Sequence, residues 1–249
     1  MNNPSPRWPW MFAAALCVLA TAAVLITAPA VLGIWHRGVS HAVPPTPKLA
    51  TLSDRQLSKL LPQQGEFPST WTVSDIKELS ETFGYFRYQV SDEGLGISPV
   101  ECFGVVGVAS TGAFDAAEVF GHDPADPPEV ADRRDVRLTI GREFESGGFD
   151  AFISLVSRCL RFSSAGAGSY AVNILEDSRP VGGPQRFRYS VTTTISGEPA
   201  DATRIDYYAY ARTSGLVLTG TASSGHQETF DTLFDNALCR ISRRALANP

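Results

Sequence analysis

The hydrophobic pattern takes three forms along the chain. The first pattern is continuous: Met11 to Gly33 is a run of 23 residues without a charge, bracketed by Trp10 and Trp35. Roughly 20 apolar residues at about 1.5 Å each cross a hydrocarbon core of about 30 Å, and indole rings suit both interfaces. The pattern therefore predicts a transmembrane anchor over 11–35, with Pro29 kinking its last turns. Ser40-His41-Ala42 offers a cleaved signal peptide as the alternative, although the apolar core is longer than the roughly 7–15 residues usual there. Leu16 occupies the position before Cys17 where a lipoprotein signal needs a small residue, so Cys17 reads as a lipid-facing or helix-packing residue.

The second pattern is helical. Ser53-Asp54-Arg55-Gln56 fits a capping box ahead of Leu57, Leu60 and Leu61, with Pro62 as the stop. Phe149, Phe152, Ile153, Val156 and Leu160 repeat with helical spacing, as do Phe230, Leu233, Phe234, Ala237, Leu238 and Ile241 behind a second capping box at Ser224 and Gln227.

The third pattern has a period of two. Val136, Leu138 and Ile140 alternate with Arg137 and Thr139, and Phe187, Tyr189, Val191, Thr193 and Ile195 alternate with Arg186, Arg188, Ser190, Thr192 and Thr194. Ile205 to Ala211 and Leu216 to Thr221 follow as strands joined by Thr213-Ser214-Gly215, a hairpin turn. Short connections between successive strands imply an antiparallel meander. The expected fold is α+β: an antiparallel sheet with helices packed on one apolar face, preceded by one N-terminal transmembrane helix. Residues 1–10 form a short cytoplasmic N-terminus, 36–52 a linker held extended by Pro44, Pro45 and Pro47, and 53–249 the extracytoplasmic domain.

Composition narrows the partners. With 43% apolar and 19% charged residues the chain is neither disordered nor a multi-span transporter. Its mean hydropathy of -0.04 averages an anchor with a more polar domain. Net charge is -5, and Arg240, Arg243 and Arg244 complement the C-terminal end of a helix dipole, so no nucleic-acid partner is expected. Charges flanking the anchor, Arg7 against His36 and Arg37, are nearly balanced. Cysteine usage decides the side: Cys102, Cys159 and Cys239 lie in the domain without a CxxC pair, and His36, His41, His122 and His226 lack metal-ligand spacing. Disulfide chemistry outside the cytosol explains the cysteines better than a metal does. Cys159 can point into the domain, whereas Cys239 falls roughly 180° from its helix's apolar stripe.

Catalytic motifs are absent: there is no GxSxG, no GxxxxGK[ST] and no Cys/His pair at recognisable spacing. No cofactor, no metal and no enzymatic activity is expected. The acidic segment Asp115 to Asp135, with His122-Asp123-Pro124-Ala125-Asp126 at its centre, lacks the spacing of a calcium loop and reads as solvated. The better binding candidate is the sheet, where Arg186 and Arg188 on one strand and Tyr208 and Tyr210 on another offer charge, hydrogen bonding and stacking to an anionic or sugar-like ligand.

The order of features resembles the mycobacterial family of PknH-like extracellular sensor domains and related envelope proteins. Its carriers are the opening helix with Leu60-Leu61-Pro62, the segment Ser98-Pro99-Val100-Glu101-Cys102, the helix ending in Ser157-Arg158-Cys159, the strands from Tyr170 to Thr221, and the closing helix with Cys239, together spanning Ser53 to Ala245. The resemblance implies a disulfide between Cys102 and Cys159. A second family disulfide lacks its partner here, which implies a free thiol at Cys239, and the kinase domain is absent. With 21 basic residues of which only Lys48, Lys59 and Lys77 are lysine, usage fits a GC-rich actinobacterial source. The implied role is ligand sensing or binding at the cell membrane, with an anionic, lipid or glycan ligand of the envelope. A structural or protein-interaction module is the alternative, and an envelope hydrolase the third.

Overall fold

Alternating strands need a partner for each backbone edge, and among the described residues ten of them pair into one antiparallel sheet. The computed structural model describes residues 48–79, 96–106, 113–126, 135–144, 147–165, 168–195 and 203–247, all within the compact unit Thr46–Pro249. The strands are β1 (Thr72–Val73), β2 (Lys77–Glu78), β3 (Ile97–Ser98), β4 (Ala113–His122), β5 (Val136–Glu143), β6 (Arg161–Ser164), β7 (Gly168–Ser178), β8 (Gln185–Thr194), β9 (Thr203–Thr213) and β10 (Leu216–Ser223). Their order is β1-β4-β5-β10-β9-β8-β7-β6-β3, with β2 also paired to β4. The described helices are α1 (Asp54–Ser58), α2 (Phe103–Val106), α3 (Gly148–Arg158) and α4 (Gln227–Leu246). Two of these have only 5 and 4 residues, so the fold is mainly β rather than an even α+β mixture.

The helices do not share one face. Leu138, Ile140, Ala209, Ala211, Leu216 and Leu218 pack with the α4 stripe and with Leu57 and Leu61. Phe187, Tyr189, Val191, Tyr210 and Val217 pack with α3 and α2. Neighbours in sequence thus enter different cores. The expectation of helices on a single face is corrected by β9 and β10, which are buried at consecutive positions: Ala209, Tyr210 and Ala211, then Leu216, Val217 and Leu218. A strand covered on both sides reads as a continuous apolar run instead of an alternating one.

Several local expectations are met. Ser53 and Gln56 form the reciprocal capping box of α1. The β9–β10 hairpin turns through Ser214 and Gly215, whose φ values of 53° and 75° are those of the tight turn that matches strand twist. The α4 stripe Phe230, Leu233, Phe234, Ala237, Leu238 and Ile241 is buried throughout. It approaches closely because β10 carries Gly220 there: a Cβ at that position would lie 2.6 Å from the Phe230 ring.

Other expectations are revised. Ser224 does not cap α4: the Ser223 amide still pairs with the Asp135 carbonyl at 2.9 Å, Gly225 turns the chain at φ 93°, and His226 takes the cap position. Leu160 lies beyond the end of α3 and is exposed. Part of the acidic segment is strand β4, in which Glu118 is buried against Arg137 at 2.6 Å. Leu49 is buried and Leu52 packs against the same core, ahead of the boundary drawn at Ser53. No helix of the described residues is long and apolar enough to cross a membrane; the run Met11 to Gly33 lies outside them.

Candidate functional site

Register decides what the sheet offers a ligand. Arg186 pairs with Ala211 and Arg188 with Ala209, whereas Tyr208 pairs with Tyr189 and Tyr210 with Phe187. Partners directly across a ladder share a face, so the two arginines stand on the α4 side and the two tyrosines on the α3 side. The four candidate residues, whose relative facing the sequence leaves open, therefore do not share one surface. Alternation within each strand was right, but the relative parity of β8 and β9 depends on their pairing.

On the α4 side the arginines are already engaged. Arg188 donates from Nη1 to Asp231 at 2.9 Å and from Nη2 to Asp235, and its Nε lies 3.3 Å from Glu176 on β7. Arg186 bonds Asp235 at 2.7 Å and its Nε sits 3.1 Å from Glu176. The Arg188 guanidinium also rests 5.4 Å over the Phe234 ring, an attraction of cation to ring face. Two cations facing three carboxylates leave no free positive charge for an anion. Burial raises the Asp231 carboxyl above its ordinary pKa, with Arg188 opposing the rise.

On the α3 side the tyrosines are structural. Tyr189 stacks on Tyr208 at 4.8 Å and lies parallel to Tyr210 at 6.1 Å, and Phe152 of α3 covers Tyr210 at 4.4 Å. The Tyr189 hydroxyl donates to the Val105 carbonyl of α2 at 2.9 Å. Burial pushes the Tyr210 phenol up to about 12 and raises Tyr189 and Tyr208 as well. The disulfide Cys102–Cys159, which closes a separation of 57 residues, locks α2 to the end of α3 beside this stack. Cys239 is free and exposed on α4.

Two features escaped the strand pattern. The first is an open groove of about 580 Å³ between β9 and the start of α4, lined by Tyr207, Gly225, Gln227, Glu228, Asp231, Thr232 and Asp235. Tyr207 has the opposite parity to Tyr208 and Tyr210. The polar stripe Glu228, Asp231, Thr232 and Asp235 follows the same three-to-four spacing as the apolar one, and that was the signal available in the sequence.

The second is a polar cluster where β4, β5 and α4 converge. Asp135, fully buried, accepts from His122 Nδ1 at 2.8 Å and from the Asp123 amide at 2.7 Å, both at Oδ2. His226 Nε2 donates to Asp126 at 3.0 Å, and the hydrogen bond from His226 is the leading reason that the Asp126 carboxyl is held below its ordinary pKa. Trp71 places its ring edge-on to His226 at 5.0 Å. Among the described residues Asp126, Asp135 and His226 are the group that could hold a metal ion. The Ser223 hydroxyl approaches Asp135 at 3.5 Å rather than an imidazole, so the cluster does not have the serine–histidine–carboxylate order of an activated nucleophile.

No family model and no curated protein matches the chain. Among solved structures it is similar to an uncharacterized protein from Mycobacterium smegmatis, at 11% identity over 75% of this chain and 96% of that one, with a TM-score of 0.39. It is also similar to the extracellular domain of PknH from Mycobacterium tuberculosis, at 11% identity over 77% of this chain and 97% of that one, with a TM-score of 0.47.

Proposed function

We propose that the chain is a membrane-anchored, extracytoplasmic binding or sensing domain without enzymatic activity, and that its ligand is a polyhydroxylated envelope molecule such as a glycan or glycolipid headgroup. The observation that carries this reading is the groove beside α4. Carboxylates of Glu228 and Asp231, the Gln227 amide and the Thr232 hydroxyl present acceptors and donors next to the Tyr207 ring, the mixture that suits sugar hydroxyls and a sugar face. An anionic ligand is the weaker choice because Arg186 and Arg188 are held by Glu176, Asp231 and Asp235. A disulfide in the domain supports an oxidising compartment, and the uncharged run Met11 to Gly33 supports the anchor.

The two parts of the reading are tested separately. A membrane-impermeant maleimide should label Cys239 in intact cells expressing the full chain and leave Cys239→Ser unlabelled; labelling that requires lysis would place the domain inside. Calorimetric titration with soluble mannan, arabinan and N-acetylhexosamine oligomers should show binding to the wild-type chain that Tyr207→Ala and Glu228→Gln weaken about tenfold or more, the effect of about 1.4 kcal/mol. Equal binding by the variants would end the groove proposal.

A further inference from the structure

The polar cluster at the head of α4 carries a second site, independent of the groove. Three ligand atoms, one each from Asp126, Asp135 and His226, lie within 4.8 Å of one another. They come from the turn after β4, the residue before β5 and the residue before α4, so three separate segments converge.

We propose that Asp126, Asp135 and His226 bind a divalent transition metal of the zinc type, with His122 positioning Asp135 from behind. The donor set of one imidazole nitrogen and two carboxylate oxygens fits such an ion better than calcium or magnesium, which favour oxygen alone. Ligands about 2.0–2.1 Å from a tetrahedral ion stand roughly 3.3 Å apart, so loading draws the three ligand atoms together by about an ångström or more.

The surroundings are those of a supported ligand set. Oδ2 of Asp135 takes the His122 and Asp123 hydrogen bonds, which leaves Oδ1 with only the Ser223 hydroxyl at 3.5 Å. Oδ1, held by that one long hydrogen bond, is the oxygen offered to the metal. An imidazole behind a ligating carboxylate fixes its rotation, as outer partners of metal ligands do. Trp71 limits the swing of the His226 ring. The Asp126 side chain is 29% exposed, against 0% for Asp135, so one side is open for entry and for completing waters. Three protein ligands plus water is the composition of an open site rather than of a closed structural one.

Cobalt(II) is the probe, added alone to the full chain in detergent after chelation and dialysis. One equivalent should bind with a visible d–d spectrum and be displaced by zinc. His226→Gln and Asp126→Asn should each weaken zinc at least 100-fold in competition with a chromophoric chelator, and His122→Gln about 10- to 100-fold. Asp126→Asn lies in a surface turn and keeps the fold testable by circular dichroism should His226→Gln unfold. Cys239→Ser should bind as wild type. The proposal is overturned if the chain takes up no cobalt, if Asp126→Asn binds as tightly as wild type, or if only Cys239→Ser loses the metal, which would assign it to the exposed thiol.

Discussion

The two faces of the sheet are held by different physics. On the α3 face, aromatic rings stack on one another and a disulfide closes a separation of 57 residues. The buried Tyr189 hydroxyl is satisfied by the Val105 carbonyl. On the α4 face, an apolar stripe covers β5, β9 and β10, but its flank is fastened to β8 by Arg186 and Arg188 through Asp231 and Asp235. Arg240 adds a tie of 3.0 Å to the Leu60 carbonyl and one of 2.6 Å to Glu66. One face is sealed, and the other is clamped by charges that leave a groove and a polar cluster beside the helix. Rigidity on one side and accessible chemistry on the other is the division expected of a scaffold that presents a binding surface.

The largest test of that contrast is the disulfide. Replacing Cys102 and Cys159 by serine together should cost about 4 kcal/mol by the loop-entropy relation, measured by urea unfolding, while Cys239 labelling in the folded state keeps its rate. A loss well under 1 kcal/mol would show that the α3 face does not depend on its lock.

Alkaline pH attacks the same face. The folded state keeps Tyr189, Tyr208 and Tyr210 neutral, so above about pH 10 it holds more protons than the unfolded chain. Stability is unaffected below that point and falls by up to about 1.4 kcal/mol per pH unit for each of these phenols, through the window in which Tyr210 titrates near 12. Of the 7 tyrosines in the chain, these should show phenolate absorbance only together with loss of circular dichroism; early titration of all of them would place the stack in water.

On the α4 face the effects are smaller. Gly220→Ala puts a methyl into the Phe230 ring and should destabilise by about 1–3 kcal/mol, with exchange in α4 accelerating before that in α3. The double-mutant cycle of Arg188→Met with Asp235→Asn should give a coupling of about 0.5–1 kcal/mol that shrinks in high salt, because Asp235 is 49% exposed. A salt-independent coupling would mean that the clamp is drier than its exposure suggests.

Much of this contrast was legible along the chain. The Phe187, Tyr189 and Val191 face, the α4 stripe, the capping box at Ser53 and the turn at Ser214 and Gly215 all follow from local rules of spacing and turn chemistry. What escaped depends on contacts between distant segments. Arg188 and Tyr208 each sat on an identifiable face of their own strand, but the register of β8 against β9 put those faces on opposite sides. Helices on both faces are written in the consecutive apolar positions Leu216, Val217 and Leu218, a short run that local spacing does not separate from an alternating strand. His226 meets Asp126 across 100 residues, and no spacing rule reaches that far.

Hydrogen–deuterium exchange of the full chain with and without a saturating oligosaccharide separates the two faces. Ligand should slow exchange at Tyr207 and residues 227–235 and leave residues 148–159 unchanged. Protection confined to 148–159 and the tyrosine stack would put the ligand on the sealed face and contradict it.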